Sequence, residues 1–262
     1  MVSPLVFRHS SETHPKPRLF FIYPNRMADN DFDVDSLATY LHLTPDQVRK
    51  MANRGKLPGR RINDRWKFSR AEIHHWFEDR IGISDEDELK QVEQVLHTDA
   101  KRQHSPDMTI EELLEPELIQ SPLLARTKSR VIENMCELAA GVGRLWDPVK
   151  MKEAIRAREQ LHPTALDNGV ALLHPRRPMP SVMESSFLAL GITTSGIPFG
   201  GPRGTLTDVF FLICSDSEAS HLRILARLSR LVGQSEMLDN IRQAGSAPEI
   251  LGLIKDADEQ LR

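Results

Sequence analysis

The sequence has few of the features that mark secreted or membrane-inserted proteins. Its 262 residues include only two cysteines, Cys136 and Cys214, which lie far apart in apolar surroundings. Cysteines of this kind are typical of small core residues in a reducing compartment, not of a disulfide framework. No run of about 18 apolar residues could cross a membrane as a helix. Because the apolar stretch 19–23 is also too short for the core of a signal peptide, we expect a cytoplasmic protein without a membrane segment.

Two kinds of ligand site are also missing. The glycine-rich stretch 200–204 lacks the Gly-Lys-Ser/Thr continuation of a nucleotide-binding loop, so we interpret it as a turn between strands. His74, His75 and His162 have no partners at the spacing of metal ligands. The sequence therefore predicts neither a metal nor a cofactor.

Charge is distributed very unevenly along the chain. The formal net charge is only −3, yet residues 49–70 hold nine basic side chains against one acid, Asp64. Residues 81–107 have the opposite bias, with three bases and seven acids. Segregation of this kind indicates an anionic partner for the basic segment.

The composition divides the chain into four segments. Residues 1–30 have no periodicity and are expected to be disordered, with Met27 as a candidate translation start. Residues 31–80 form a first ordered unit, and residues 81–107 form an acidic, partly helical linker. Residues 108–262 form a second domain. The linker is most simply a solvated spacer, although its helix could pack on either domain or on a second chain.

The first unit begins with the pattern of two short helices. Val34, Leu37 and Leu41 recur at helical spacing. Residues 44–47, Thr-Pro-Asp-Gln, then predict a helix start with a capping box and proline at the first position. Gly55 can end this second helix. Two short helices joined by a tight turn form a helix-turn-helix.

A hairpin and a third helix follow. Strand-like runs at 60–62 and 65–68 are bridged by Asn63-Asp64, which predicts a small β-wing. Residues 69–72, Ser-Arg-Ala-Glu, form a second capping box before an apolar helix face of Ile73, Trp76 and Phe77.

Residues 32–77 resemble an excisionase-type, MerR-like winged helix-turn-helix. The resemblance is carried by Ala38-Thr39-Tyr40-Leu41, Val48, Gly55-Lys56-Leu57-Pro58, Arg65-Trp66-Lys67-Phe68 and Trp76. It implies that residues 45–54 enter the major groove of DNA and that the wing contacts phosphates. The implied DNA-binding residues are Thr44, Gln47, Arg49, Lys50, Arg54, Arg60, Arg61, Arg65 and Lys67. A solvated basic face, or a contact with protein, is the alternative.

The second domain alternates helical and strand-like segments, which predicts an α/β fold with one central sheet. We expect a short helix from Ile110 that Pro116 ends, helices around 131–139, 151–158 and 222–232, and one helix from 241 through 254 to the end. Strands are expected at 170–173, 187–192 and 209–213. The first of these strands follows Asn168-Gly169 and stops at His174, where a strand end would deliver the imidazole toward solvent.

Residues 108–260 resemble the EIIA domain of the fructose/mannitol/nitrogen-regulatory branch of the phosphoenolpyruvate-dependent phosphotransferase system (PTS). The resemblance is carried by Arg158-Glu159, the run Asn168 to His174, residues 199–204 and His221-Leu222. It implies a mixed central sheet flanked by helices. It also implies that His174 accepts a phosphoryl group, while Arg158, sixteen residues upstream, and His221, near a helix start, complete the site.

These residue types suit phosphoryl transfer. A neutral imidazole nitrogen can attack phosphorus, and the arginine fork matches phosphate oxygens. A histidine near a helix start favours its neutral form and could donate one hydrogen bond. Alternatively, Arg158 pairs with Glu153 or Glu159 on its own helix, and His221 is a helix-end residue without a role.

The chain departs from the family around the acceptor histidine. Leu172-Leu173 stand where the family has Ile-Pro, Pro175-Arg176-Arg177 follow His174, and residues 162–167 replace a glycine-containing segment. These changes reshape the rim of the site and leave open whether the domain still takes phosphate.

Together the two resemblances predict a PTS-linked transcriptional regulator. Its expected partners are DNA and the phosphocarrier protein of the PTS, with regulatory protein targets and oligomerisation as further possibilities. The alternatives are a phosphotransferase in a regulatory, nitrogen-type relay and a non-phosphorylated protein-interaction adaptor.

Overall fold

The computed structural model describes residues 31–41, 43–69, 72, 73, 76 and 109–261. The expected N-terminal extension, the acidic linker, His74, His75 and Phe77 lie outside the described residues. The described residues form two units, one before the acidic linker and one after it.

Two helices open the first unit, α1 (Val34–Tyr40) and α2 (Pro45–Asn53). The predicted capping box of α2 is confirmed, because the Thr44 hydroxyl accepts from the amide of Gln47 and the Gln47 side chain accepts from the amide of Thr44. Gly55 follows the helix with a φ of 67°. Glycine adopts this left-handed conformation without a steric cost, so it ends the helix as predicted.

The predicted wing is also present. Strands β1 (Arg60–Ile62) and β2 (Arg65–Lys67) pair antiparallel. The two residues between them, Asn63 and Asp64, have φ values of 48° and 62°. Two successive positive φ values define the hairpin turn whose twist matches the flanking strands.

The apolar residues of this unit share one small core. Phe32 and Phe68 exchange backbone hydrogen bonds of 2.8 and 2.9 Å, which closes the wing onto the start of α1. The side chains buried around this bridge include Leu37, Val48, Leu57 and Ile73. The third helix is described only at residues 72, 73 and 76.

The second unit is an α/β domain. Its helices are α3 (Ile110–Leu113), α4 (Lys128–Gly141), α5 (Pro148–Leu161), α6 (Glu218–Val232), α7 (Ser235–Gln243) and α8 (Ala247–Gln260). Its strands are β3 (Leu114–Gln120), β4 (Val170–Leu173), β5 (Phe187–Pro198) and β6 (Leu206–Cys214). The glycine-rich stretch 200–204 lies in the connection between β5 and β6, as predicted.

The sheet is mixed, in the order β3-β5-β6-β4. Strand β4 runs parallel to β6, whereas β5 runs antiparallel to β6 and parallel to β3. The carboxyl ends of β4 and β6 therefore meet at one edge of the sheet. The mixed α/β class is confirmed.

Two segments differ from the sequence prediction. The short helix from Ile110 ends at Leu113, and Pro116 then lies within strand β3, which was not predicted. Because β3 is an edge strand, the missing amide of proline removes no obligatory ladder hydrogen bond. The single C-terminal helix is wrong: α7 ends at Gln243, and α8 starts anew after Ser246, whose side chain accepts from the amide of Glu249.

The Asn-Gly pair that marked the histidine strand lies at the opposite, amino end of β4. The Asn168 side chain donates to the carbonyl of Val232 at 2.8 Å. The backbone carbonyl of Asn168 accepts from Arg242 at 2.8 Å. Arg242 also donates to both carboxylate oxygens of Asp208 at 2.9 Å. A β-carbon on Gly169, whose φ is 85°, would come within 2.9 Å of Arg242 Nη2. These residues anchor the strand that carries His174.

Candidate functional site

His174 directly follows the carboxyl end of β4 and is 3% exposed. Its Nδ1 atom lies 2.7 Å from the carbonyl oxygen of Leu172. A carbonyl oxygen can only accept a hydrogen bond, so this contact assigns the proton to Nδ1. The lone pair of the neutral ring is then on Nε2, the atom that would act as the nucleophile.

His221 reaches the same edge of the sheet from α6. This helix follows β6 and begins after Ser217, whose side chain caps it. His221 is 2% exposed, and its Nδ1 lies 3.0 Å from the hydroxyl of Ser215. The rings of His174 and His221 have centroids 5.1 Å apart and are tilted by 56°. Parallel pairing of β4 with β6 is what brings the two histidines together.

The segment after α5, residues 162–166, which we call the strap, runs antiparallel beside β4. Ala165 bridges to Ala171 in this pairing. Backbone hydrogen bonds extend this pairing from Leu166 with Val170 to Thr164 with Leu172. The segment that follows α5 therefore lies alongside the strand that ends at His174.

Arg158 lies in the last turn of α5 and is 4% exposed. Its Nη1 donates to the carbonyl of His162 at 2.8 Å, whereas its buried Nε has no hydrogen-bond partner among the described residues. Within that part of the chain no ion pair joins Arg158 to Glu153 or Glu159, and Glu159 is paired with Lys128 at 2.6 Å. The guanidinium thus keeps unused donor capacity in the last turn of α5.

The surroundings of His174 combine burial with positive charge. Pro175 is buried, and the next two residues, Arg176 and Arg177, are exposed. The ring nitrogen Nε2 of His174 is closed to solvent in this structure. A ligand of this nitrogen would therefore have to displace neighbouring side chains.

The candidate DNA-binding residues surround α2 and the wing. Eight of the nine are exposed, and Lys67 is partly buried. The side chains of Thr44 and Gln47 are occupied in the capping box, so their established role is to begin α2. Arg49 pairs with Asp46 at 2.8 Å, and Arg60 pairs with Asp31 at 2.9 Å. Lys50, Arg54, Arg65 and Lys67 form no ion pair with the described carboxylates.

A groove of about 480 Å³ lies among α1, α2 and the wing. Its charged lining consists of four cations and three carboxylates, namely Arg49, Arg61, Arg65, Lys67, Asp33, Asp35 and Asp64. The guanidinium of Arg61 lies 5.4 Å from the centre of the Trp66 ring, and its Nη2 is 3.5 Å from Asn53 Oδ1. Arg61 therefore links the wing to the exposed face of α2.

Three residues that contact His221 or Glu159 could not be found from sequence patterns. Ser215 contacts His221, while Lys128 and Thr164 contact the carboxylate of Glu159. Ser215 and Thr164 lie within six residues of their partners, whereas Lys128 lies far from Glu159 in the chain, and none belongs to a motif. Among the described residues, no group of three or more His, Cys, Asp or Glu side chains could hold a metal ion. Nor does that part of the chain include a helix long and apolar enough to cross a membrane.

Fold and site together define a two-part protein, with a winged helix-turn-helix unit and an α/β domain that carries two histidines at its strand ends. The chain belongs to the family described as phosphoenolpyruvate-dependent sugar phosphotransferase system, EIIA 2, whose model matches residues 112–257. A helix-turn-helix domain model matches residues 32–81.

Individual relatives match the same region. The fructose-specific EIIABC component of the PTS from Bacillus subtilis is 30% identical over 154 residues, which cover 58% of this chain and 24% of that protein. The nitrogen regulatory protein of Bradyrhizobium diazoefficiens is 28% identical over 151 residues, which cover 56% of this chain and 95% of that protein. The crystal structure of nitrogen regulatory protein IIA-Ntr from Neisseria meningitidis superposes with a TM-score of 0.47 at 23% identity, over 55% of this chain and 98% of that one.

Proposed function

We propose that the protein is a cytoplasmic, PTS-linked transcriptional regulator. A winged helix-turn-helix, residues 31–80, binds DNA, and an EIIA-like domain, residues 108–262, accepts a phosphoryl group on His174. The acidic segment 81–107 links the two domains. Phosphorylation of the second domain reports the state of the phosphotransferase system to the first.

The observation that carries the phosphoryl-acceptor role is the pairing of two buried histidine rings at the carboxyl ends of β4 and β6. His174 presents the Nε2 lone pair, because its Nδ1 proton is held by the carbonyl of Leu172. The ring of His221 lies beside it, and Arg158, in the last turn of α5, donates to the carbonyl of His162 at the start of the strap. In the transfer step a bond forms between Nε2 and phosphorus while the bond from phosphorus to the leaving atom of the donor breaks. Such a reaction is catalysed mainly by positioning and by charge compensation.

The transfer can be tested by labelling. The full-length protein is incubated with labelled phosphoenolpyruvate, the upstream PTS enzyme and the phosphocarrier protein. We expect acid-labile label on the wild type and on His162→Ala, which changes an exposed histidine but keeps the backbone carbonyl that Arg158 uses. His174→Ala should take no label. Absence of label from the wild type, or its persistence in His174→Ala, would overturn the proposal.

DNA binding is supported by the helix-turn-helix match and by the exposed cations of α2 and the wing. Phosphate contacts make affinity fall with salt, by about one unit of logarithmic slope for each contact. We therefore expect salt-dependent binding to duplex DNA, and a slope reduced by about two in the double variant Arg61→Ala/Arg65→Ala. Arg203→Ala, an exposed cation of the second domain, is the matched control and should leave the slope unchanged. Salt-independent affinity would reject DNA binding.

A phosphotransferase relay is the second candidate. It is favoured by the likeness to a nitrogen regulatory protein over 95% of that protein's length. A relay component would pass label from His174 to an acceptor protein without binding DNA. If neither label nor DNA is bound, a protein-interaction adaptor is the hypothesis that stands.

A further inference from the structure

Glu159, the neighbour of Arg158, has a carboxylate buried inside the domain. Its side chain is 1% exposed and lies 2.6 Å from Lys128 Nζ. The carboxylate also accepts hydrogen bonds from the backbone amide of Thr164, at 3.2 Å, and from the hydroxyl of the same residue. Glu159 therefore binds Thr164, the middle residue of the strap, by hydrogen bonds.

The strap in turn contacts the strand that carries the acceptor histidine. The carbonyl of Thr164 accepts from the amide of Leu172 at 3.3 Å. The carbonyl of Leu172 itself accepts from Nδ1 of His174 at 2.7 Å. The Glu159 carboxylate is thus connected by three successive hydrogen bonds to the proton that defines the tautomer of His174.

Adjacent residues of α5 hold the strap at two points. Arg158 donates to the carbonyl of His162, and Glu159 accepts from both donors of Thr164. Because the two points are separated by a single residue, Pro163, the intervening backbone has little freedom to move. The Arg-Glu pair therefore fixes the position of the strap beside β4.

Lys128 makes the buried carboxylate possible. A carboxylate without a partner is costly to bury, whereas a paired and hydrogen-bonded one is tolerated. Lys128 is itself held in place, since its Nζ donates to the carbonyl of Phe199 at 3.3 Å and lies 4.7 Å from the centre of the Phe199 ring. The carbonyl and the ring of Phe199 therefore hold the ammonium group of Lys128 in position next to Glu159.

We propose that Glu159, held by Lys128 and acting through Thr164, is a positioning residue for the phosphoryl acceptor. It orients the backbone of Leu172 so that the Leu172 carbonyl accepts the Nδ1 proton of His174, which leaves Nε2 as the nucleophile. Its effect on transfer rests on the proposed function, but its effect on the tautomer does not.

Two measurements on the full-length protein separate these effects. The first is the pair of imidazole ¹⁵N chemical shifts of His174 in unphosphorylated protein, which report which nitrogen carries the proton. The second is the phosphorylation rate as a function of phosphocarrier concentration, which separates kcat from KM. The variants are Glu159→Gln, Thr164→Val and Thr164→Ser. The control is Glu133→Gln, which removes another carboxylate that links α4 to α5 through Lys152.

In Glu159→Gln and Thr164→Val we expect the Nδ1–H tautomer to become less populated. We also expect kcat to fall by about 10- to 100-fold, as small misplacements of reacting groups do, with KM little changed. Thr164→Ser keeps the hydroxyl and should restore the wild-type values, and Glu133→Gln should retain them. Wild-type ¹⁵N shifts in both Glu159→Gln and Thr164→Val would overturn the proposal. If Glu159→Gln does not fold, the Thr164→Val and Thr164→Ser pair decides.

The outcomes also distinguish this proposal from the proposed function. A wild type that takes no label while Glu159→Gln shifts the tautomer would reject the phosphoryl-acceptor role and support positioning. If the wild type is labelled, and Glu159→Gln and Thr164→Val have the tautomer and kcat of the wild type, the phosphoryl-acceptor role is supported and positioning by Glu159 is rejected.

Discussion

The Nδ1 atoms of His174 and His221 have partners of different kind, although their rings lie only 5.1 Å apart. Nδ1 of His174 faces the carbonyl of Leu172, which can only accept, whereas Nδ1 of His221 faces the hydroxyl of Ser215, which can donate or accept. The contact with Leu172 therefore assigns one tautomer to His174, whereas the contact with Ser215 is compatible with either tautomer of His221. This asymmetry suits a nucleophile next to a hydrogen-bond donor for the phosphoryl group.

Under the proposed function, replacement of His221 should slow phosphorylation of His174 without abolishing it. In His221→Gln the nucleophile is intact, but the donor to the phosphoryl oxygens is displaced, and removal of one such donor costs about 100-fold in rate. Ser215→Ala should have a smaller effect, because the ring remains. Rapid-quench labelling measures both rates, and a His221→Gln rate equal to the wild type would contradict the assigned role.

Arg158 should be sensitive to replacement by lysine as well as by neutral residues. Arg158→Lys keeps the positive charge but loses the planar fork that can bind the His162 carbonyl and phosphate oxygens together. We expect phosphorylation to slow by about 10-fold or more in this variant. Arg156→Lys, a change on the same helix at a residue that contacts Ser129, is the control. Equal rates in the two variants would argue for a purely structural Arg158.

The turn of the wing offers a change that should improve both stability and DNA affinity. Asp64 has a φ of 62° and lines the groove between α2 and the wing. Asp64→Gly should stabilise the turn by about 1 kcal/mol, because glycine has no side-chain penalty in the left-handed region. It should also tighten DNA binding by removing a negative charge. Asp64→Asn removes only the charge, so weaker DNA binding in both variants would exclude the groove as the interface.

A buried ion pair joins α6 to α8 and to the start of α3. Asp258 is paired with Arg227 at 2.6 Å and accepts from the amide of Ile110 at 3.1 Å. Asp258→Asn removes the buried negative charge that Arg227 and the amide of Ile110 share, which should destabilise the domain by about 3–5 kcal/mol. Glu111→Gln, which breaks the exposed contact to Lys255, should change stability little. Urea unfolding measures both, and similar midpoints for the two variants would contradict this ranking.

The two cysteines should be inert in the folded protein. Burial raises the pKa of Cys136 to about 12 and the pKa of Cys214 well above its usual value of 9.0. Because the thiolate is the reactive form, a disulfide reagent at about pH 8 should label these residues only after unfolding. Fast stoichiometric labelling of the folded protein would contradict this expectation.

The same pKa shifts predict a loss of stability in alkaline solution. Folded-state pKa values above the unfolded value mean that the folded protein favours the protonated thiols. Their contribution to stability is complete below the unfolded pKa of 9.0 and declines as the pH rises toward 12. The urea midpoint of unfolding should therefore be lower above pH 9 than below it, and Cys136→Ala should reduce this difference.

Much of the fold could be predicted from local sequence patterns. The errors in the prediction occurred where packing between segments far apart in the chain determines the structure. The capping box at Thr44 and the turn at Asn63-Asp64 were recognised because their hydrogen bonds and φ values depend on neighbouring residues. Strand β3 was missed because Pro116 is typical of a strand interruption, and its tolerance depends on an edge position that only the assembled sheet defines. The break at Ser246 was missed because the apolar period continues across it.

The sequence by itself determined which residues could form the site, namely Arg158, His174 and His221, together with the helices and the strand that hold them. Capping, chain reversal and apolar periodicity act over a few residues, so they are visible in the chain. Only the tertiary structure decided the proton on Nδ1 of His174, the strap beside β4 and the Lys128–Glu159 pair. Those features depend on contacts between segments far apart in sequence, which parallel pairing of β4 with β6 and packing of α4 on α5 bring together.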